Sequence, residues 1–185
     1  MRGMLGRVAV SAALCAVVTG CTSASKPYPS DSEVVVALPG PSEPTGPGPT
    51  DAALPRDGLP STTATIVRWV DGDTVVTSQG RVRLLGMDTP ERGRCGFGPA
   101  SSYAARLAPP GTSVELVAVP GDDDKDRYDR LLRYVYAGTT DVGYAQILAG
   151  YAIARYDSRD GYGRHPHEDA YIAADNANPN PACPA

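Results

Sequence analysis

Acidic side chains gather at two places where turn residues hold the chain tightly. Val70-Asp-Gly-Asp-Thr-Val75 sets Asp71 and Asp73 around Gly72, and Asp88-Thr-Pro-Glu91 puts two carboxylates three residues apart on a turn stiffened by proline. Each cluster sits beside an apolar segment, where a rigid scaffold can present a site. If Asp73, Asp88 and Glu91 converge, they form an all-oxygen site; without His or Cys, such a site suits Ca²⁺ or Mg²⁺ rather than zinc. The arginines are the complement. Arg83 lies inside the apolar run Arg81–Met87, where a guanidinium needs an anionic partner. Arg130 closes Asp126-Arg-Tyr-Asp-Arg130, just before another apolar run. Strict alternation puts Arg83 and Asp88, five residues apart, on opposite faces, and a bulge near Gly86 would bring them together. A cation flanked by two guanidiniums is what a phosphodiester requires as charge grows on its oxygens around pentacoordinate phosphorus. The plainer alternative is that both arginines make structural ion pairs with the same carboxylates.

Strands and helices must hold these groups. Strand-like segments fall at 65–70, 74–78, 82–87, 113–119 and 131–136, with Gln79-Gly80 as a hairpin turn. Val82, Leu84, Leu85 and Met87 are apolar on both faces, as in a closed barrel covered on its outside. Helices are expected over Pro99–Ala108, Asp141–Ala149 and Pro166–Asn176, from proline in a first turn, an acidic cap and glycine or proline stops. Five strands with helices after the third and the last predict a mainly β, α+β domain: an OB-type five-stranded Greek-key barrel with three helices.

The first 61 residues read differently. Residues 1–20 carry a basic start (Arg2, Arg7) and an apolar run too short to span a bilayer, so they read as an export signal. Val18-Thr-Gly-Cys21 resembles a lipobox, which makes Cys21 the expected lipidation site. Residues 21–61 are rich in Pro, Gly, Ser and Thr and read as an extended tether, leaving 62–185 as the folded domain. Cys95 and Cys183 remain as an expected disulfide in an oxidising compartment.

Three ordered stretches, Val70-Asp-Gly-Asp-Thr-Val75, Arg83-Leu-Leu-Gly-Met-Asp-Thr-Pro-Glu91 and Asp126-Arg-Tyr-Asp-Arg130, resemble the thermonuclease (staphylococcal-nuclease-like) family. The resemblance implies an OB-type barrel and a Ca²⁺-dependent nuclease acting on DNA and RNA to leave 3′-phosphate ends. It implies Asp73, Asp88 and the backbone carbonyl of Thr89 as Ca²⁺ ligands, and Glu91 as the group that holds or activates the attacking water. Arg83 and Arg130 would clamp the scissile phosphate, Arg127 and Tyr128 would contact a nucleotide phosphate, and Tyr156 would pack against the base. Where many members carry Tyr-Gly-Arg, this chain has Tyr128-Asp129-Arg130, which adds a carboxylate beside the arginine. The expected molecule is a monomer, lipid-anchored at the extracytoplasmic face of the cell membrane, with nucleic acid as substrate.

Charge sits uneasily with that. The chain has 21 acidic and 17 basic residues, and from residue 61 onward 13 Arg+Lys stand against 16 Asp+Glu, a net of −3. Nucleic-acid binders are usually basic, so weak, salt-sensitive binding is expected, with only the local potential at the cleft favourable. A non-catalytic binding module on the same barrel, and an envelope lipoprotein using Ca²⁺ for stability, are the rivals; neither explains five retained charged positions. Asp122-Asp-Asp-Lys-Asp126 reads as a solvated acidic loop, His165 and His167 as exposed loop histidines, and Trp69 as barrel packing.

Overall fold

The computed structural model describes residues 52–178. The export signal, Cys21, the tether up to residue 51, and Cys183 therefore lie outside the described residues. Strand β1 (Ser61–Trp69) turns Ala64 and Ile66 into the core and its Ser and Thr residues outward, the alternation of a strand with one wet face. A bulge breaks its register between Ile66 and Arg68. The bulge leaves Val67 half exposed and restores Trp69 to the inner side opposite Val75. Strands β2 (Thr74–Thr77) and β3 (Gly80–Leu84) form the expected hairpin, and Gly80 at φ 118° takes the backbone region that other residues avoid.

Strands β5 (Ser113–Val117) and β6 (Leu131–Ala137) complete the sheet, in the order β3-β2-β1-β5-β6, and a parallel pairing of β3 with β6 closes it. Five strands thus make a closed OB-type barrel with no free edge among them. In β6, Tyr134, Val135 and Tyr136 are all fully buried, because the barrel takes one face and the helical layer the other.

The run 82–87 is not one strand. Leu85 and Gly86 form a turn, Gly86 at φ 69°, and Met87–Asp88 restarts as β4, paired with β8 (Ile153–Ala154). This turn does what a bulge near Gly86 was expected to do. A Cβ on Gly86 would also stand 2.5 Å from the His165 ring.

The helices are α1 (Phe97–Leu107), α2 (Val142–Leu148) and α3 (Glu168–Ala177). Strand β7 (Thr140–Asp141) ends at the cap of α2, where the Asp141 side chain accepts from the Gly143 and Tyr144 amides.

Two expectations need correction. Residues 52–60 belong to the folded body rather than the tether: Ala52 is buried, Leu54 and Leu59 pack on the core, and the Leu54 carbonyl accepts from the Tyr136 hydroxyl. The histidines are not exposed loop residues. His165 Nδ1 meets the Tyr134 hydroxyl at 2.7 Å, and His167 stacks on the Tyr134 ring at 4.2 Å with its Nε2 2.8 Å from the Pro55 carbonyl. Both are buried because their flat rings pack against the rings of Tyr134, Tyr136 and Tyr171, with one nitrogen of each hydrogen-bonded. Among the described residues the two histidines join no group of three side chains that could hold a metal ion.

Candidate active site

Asp73 ends the 70–73 turn between β1 and β2 and is buried. Its Oδ2 accepts from the Thr89 amide at 3.0 Å and the Thr89 hydroxyl at 2.8 Å, and its Oδ1 accepts from the Thr74 hydroxyl at 3.0 Å. The two acidic turns are thus stitched to each other. Gly72 makes the stitch possible: a Cβ there would lie 2.7 Å from Thr89 Cγ2 and 3.1 Å from the Ala100 Cβ of α1. The Gly72 carbonyl accepts from the Gln146 side-chain amide of α2 at 2.7 Å. Gln146 is fully buried and its Oε1 has no partner among the described residues, so the helix carries an amide into the core to hold this one turn. Sequence reading missed Gln146; the signal available was a polar residue between Ala145 and Ile147 on an otherwise apolar helix.

Arg83 stands in the gap between the two turns. Its Nη1 donates to the Leu84 and Met87 carbonyls at 2.8 and 2.9 Å, its Nη2 to Asp88 Oδ1 at 2.8 Å, and its Nε faces Asp73 Oδ1 at 3.4 Å. The guanidinium is almost fully used, which locks its plane. Arg83 therefore does make the ion pairs of the plainer reading, and it does so while lining the cleft.

Burial pushes the Asp88 carboxyl upward and its neighbours Asp73 and Glu91 push the same way, while Arg83 pulls it down. Burial and the adjacent Asp73 raise Asp71 to about 6. Carboxylates that lift one another mark a local excess of negative charge that a cation would relieve. Among the described residues no three His, Cys, Asp or Glu side chains gather closely enough to cage an ion by themselves. Asp73 and Asp88 would hold Ca²⁺ with backbone and water oxygens completing the shell, a mixture that ion accepts. Glu91 is exposed just beyond Pro90 and reaches this pair through its charge on Asp88.

The second half of the site is the turn 126–130. Asp126 Oδ1 accepts from the Tyr128 and Arg130 amides at 2.9 and 3.0 Å, and Oδ2 accepts from Arg130 Nε at 2.6 Å. Burial raises the Asp126 carboxyl, yet these hydrogen bonds outweigh it and the net shift is downward. Asp129 takes the left-handed conformation at φ 62°, which Asp tolerates better than most residues and which explains how it replaces a glycine there. Arg130 Nη1 donates to the Thr74 hydroxyl at 3.3 Å, so Arg130, Thr74 and Asp73 form one chain of contacts. Thr74 is a site residue that sequence reading passed over.

Arg83, Arg127, Tyr128, Arg130 and Tyr156 all line one cleft of about 550 Å³. Tyr128 is exposed, with Arg127 at 4.8 Å and Arg130 at 5.4 Å from its ring centre. Tyr156, held at φ 60° with its amide on Asp160, lies 5.3 Å from the Arg83 guanidinium and edge-on to Tyr162. The acidic loop is exposed as expected, but Asp122, Asp123 and Asp126 also line the cleft, and Asp124 pairs with Arg133. Trp69 donates to the Ala108 carbonyl at 2.8 Å and packs on the core.

The class of protein defined here is a closed OB-type barrel that sets paired carboxylates beside a cleft lined by arginines and tyrosines. The family model for staphylococcal nuclease homologues matches residues 81–178, more than half of the 185 residues, and the chain belongs to that nuclease family. A comparison with curated proteins found no match.

Proposed function

We propose that this chain is an exported, lipid-anchored, Ca²⁺-dependent phosphodiesterase that hydrolyses DNA and RNA to products with 3′-phosphate ends. The observation that carries the reading is the chain of contacts from Asp73 through Thr74 to Arg130, which ties the carboxylate pair to the arginine-lined cleft. Ca²⁺ held by Asp73, Asp88 and backbone oxygen would neutralise phosphate charge. Arg83 and Arg130 bind non-bridging phosphate oxygens, and their hydrogen bonds strengthen as charge accumulates there. Both guanidiniums are already oriented by carboxylates, so little reorganisation accompanies the reaction. Glu91, exposed and close enough to act on Asp88, accepts the proton of the attacking water. Water attacks in line and the 5′-oxygen departs. Tyr128 and Tyr156 receive the flanking nucleotide.

Cleavage of a labelled oligonucleotide, with Ca²⁺ and then with excess chelator, tests this directly. Loss of all cleavage on chelation and its return with Ca²⁺ is expected; cleavage indifferent to chelator would overturn the cation assignment. Val18-Thr-Gly-Cys21 supports the anchor, and no helix among the described residues is long and apolar enough to cross a membrane. Cys95 is disulfide-bonded, and we take Cys183 as its partner.

A further inference from the structure

The face of the barrel beside the cleft carries two arginines that the catalytic reading does not use. Arg68 of β1 stands opposite Val76 of β2, and Val76 stands opposite Arg81 of β3. Cross-strand partners share a face, so Arg68 and Arg81 form a row, about 10 Å apart at two strand spacings. Arg83, two residues on from Arg81, points the same way at the end where the cleft begins.

Both arginines are exposed, and neither has an ion-pair or hydrogen-bond partner among the described residues. That contrasts with Arg56, Arg83, Arg130, Arg133, Arg155, Arg159 and Arg164, each of which meets a carboxylate. In a chain of net charge −4, unpaired guanidiniums in a row are an uncompensated field. A second hollow of about 210 Å³ lies on this side, lined by Arg81, Gln79, Lys125, Leu131, Asp129 and Tyr128. Tyr128 also lines the main cleft, so its exposed ring stands on the wall between the two. Lys125 is tied to Asp129 at 2.7 Å, so among the described residues Arg81 is the cation of the hollow that meets no carboxylate.

We infer that the hollow at Arg81, continued by Arg68, is a second phosphate subsite for a single-stranded nucleic acid running from the cleft over Tyr128. A basic groove beside an aromatic platform is how a single strand is held without sequence preference. The inference rests on the nuclease reading for the occupant of the cleft and deepens it: the substrate is an oligonucleotide of several residues rather than a single diester.

The test measures binding of a fluorescent single-stranded 12-mer and of a dinucleotide by anisotropy, in chelator, across a range of salt. Wild type, Arg81→Ala and Arg68→Ala/Arg81→Ala are compared, with thermal midpoints confirming that these exposed changes leave the fold intact. Arg81→Ala is expected to weaken the 12-mer about 3- to 10-fold at low salt. It should flatten the slope of log K against log salt by about 0.7, the value of one single-strand phosphate contact. The double variant should lose about twice that slope, and the dinucleotide should bind all three proteins alike. Unchanged 12-mer binding and slope in the double variant, equal weakening of the dinucleotide, or a wild type that binds no 12-mer would each overturn the subsite. Wild type that binds the 12-mer but leaves it uncut with Ca²⁺ would overturn the nuclease reading instead, and the variants would still decide the track.

Discussion

The two halves of the site are built by different means. The carboxylate half is buried: Asp73 and Thr89 are nearly inaccessible, Gly72 is packed against three neighbours, and Gln146 reaches through the core to hold the turn. The arginine half is exposed: Arg127, Tyr128 and Asp129 stand in solvent, and the turn keeps its shape through local hydrogen bonds centred on Asp126, with the Lys125–Asp129 pair beside them. Burial fixes the first by packing, in which any added atom is felt. Local turn chemistry fixes the second, in which surface changes cost little stability. Damage to the first half should therefore show as lost stability and lost cation affinity together. Damage to the second should show in turnover or substrate affinity with the fold intact.

The largest expected effect breaks the second half. Arg130→Ala removes a guanidinium whose bonds grow in the transition state, and it should lower kcat by about 10³–10⁵-fold. Cation affinity should stay within a few-fold of wild type, because Asp73 keeps its Thr89 bonds. Asp73→Ala should do the reverse, weakening cation binding first and recovering part of its activity at high Ca²⁺. Single-turnover cleavage titrated with Ca²⁺ separates the two. Normal cutting by Arg130→Ala would remove it from the phosphate clamp.

The comparison is sharpened by Gly72→Ala, which changes no charge. The new methyl group would meet Thr89 Cγ2 at 2.7 Å and Gln146 Oε1 at 3.0 Å. Overpacking of this kind costs about 1–3 kcal/mol, and the Asp73–Thr89 stitch should open with it. A lowered thermal midpoint and weaker Ca²⁺ binding should appear together. A Gly72→Ala protein of wild-type stability and affinity would show that the close packing is not what holds the carboxylates.

Most of the barrel was legible in the sequence because its strands follow the period-2 pattern and its turns are marked by glycine and proline. The strand expected at 131–136 was legible from its apolar residues and is observed at Leu131–Ala137, and the hairpin at Gln79-Gly80 was legible from its glycine. An irregularity at Gly86 was legible from its glycine, but not that the strand ends there, since apolar residues continue across it and the close approach of His165 is a tertiary contact. The buried histidines were missed for the same kind of reason: a His-Pro-His segment looks solvated until its partners, Tyr134 and Pro55, are known to lie 31 and 112 residues away. Asp73, Arg83, Asp88 and Arg130 were legible as charges in tight turns or beside apolar runs. Thr74 and Gln146 were not, because a strand threonine and a helical glutamine are unremarkable until the fold brings them to Asp73 and Gly72.

Asp71 tests the electrostatics of the buried half. Its folded pKa, raised from 3.8 to about 6, means the folded protein binds a proton that the unfolded chain has already lost between those values. Stability should therefore fall as pH rises from about 4 to 6 and then stay lower by a constant amount. Asp71→Asn keeps the acceptor for the Asp73 amide and removes that charge. Allowing for solvent screening of a partly exposed group, it should stabilise the cation-free protein at pH 7 by about 1 kcal/mol. It should also flatten the stability profile between pH 4 and 6. Chemical denaturation across that range checks it, and an identical slope in both proteins would place the proton elsewhere.

The smallest expected effect lies in the exposed half. Asp129 sits between two cationic neighbours, paired with Lys125 and following Arg127 and Tyr128 in the turn, so its carboxylate lowers the positive potential that a phosphate approaches. Asp129→Asn keeps a residue that accepts the left-handed conformation at φ 62° and removes only the charge. Exposed charge pairs are worth about 0.2–1 kcal/mol, so KM for an oligonucleotide should fall about 2- to 5-fold at low salt while kcat is unchanged. Screening shortens the reach of this charge to about 8 Å near physiological ionic strength and about 3 Å at 1 M, so the advantage should fade as salt is added. Asp129→Gly should lower KM equally, since it too removes the charge, and it separates that effect from any relief of the backbone. If Asp129→Gly alone improved KM, or if the gain persisted at high salt, the backbone rather than the carboxylate would be what the substrate feels.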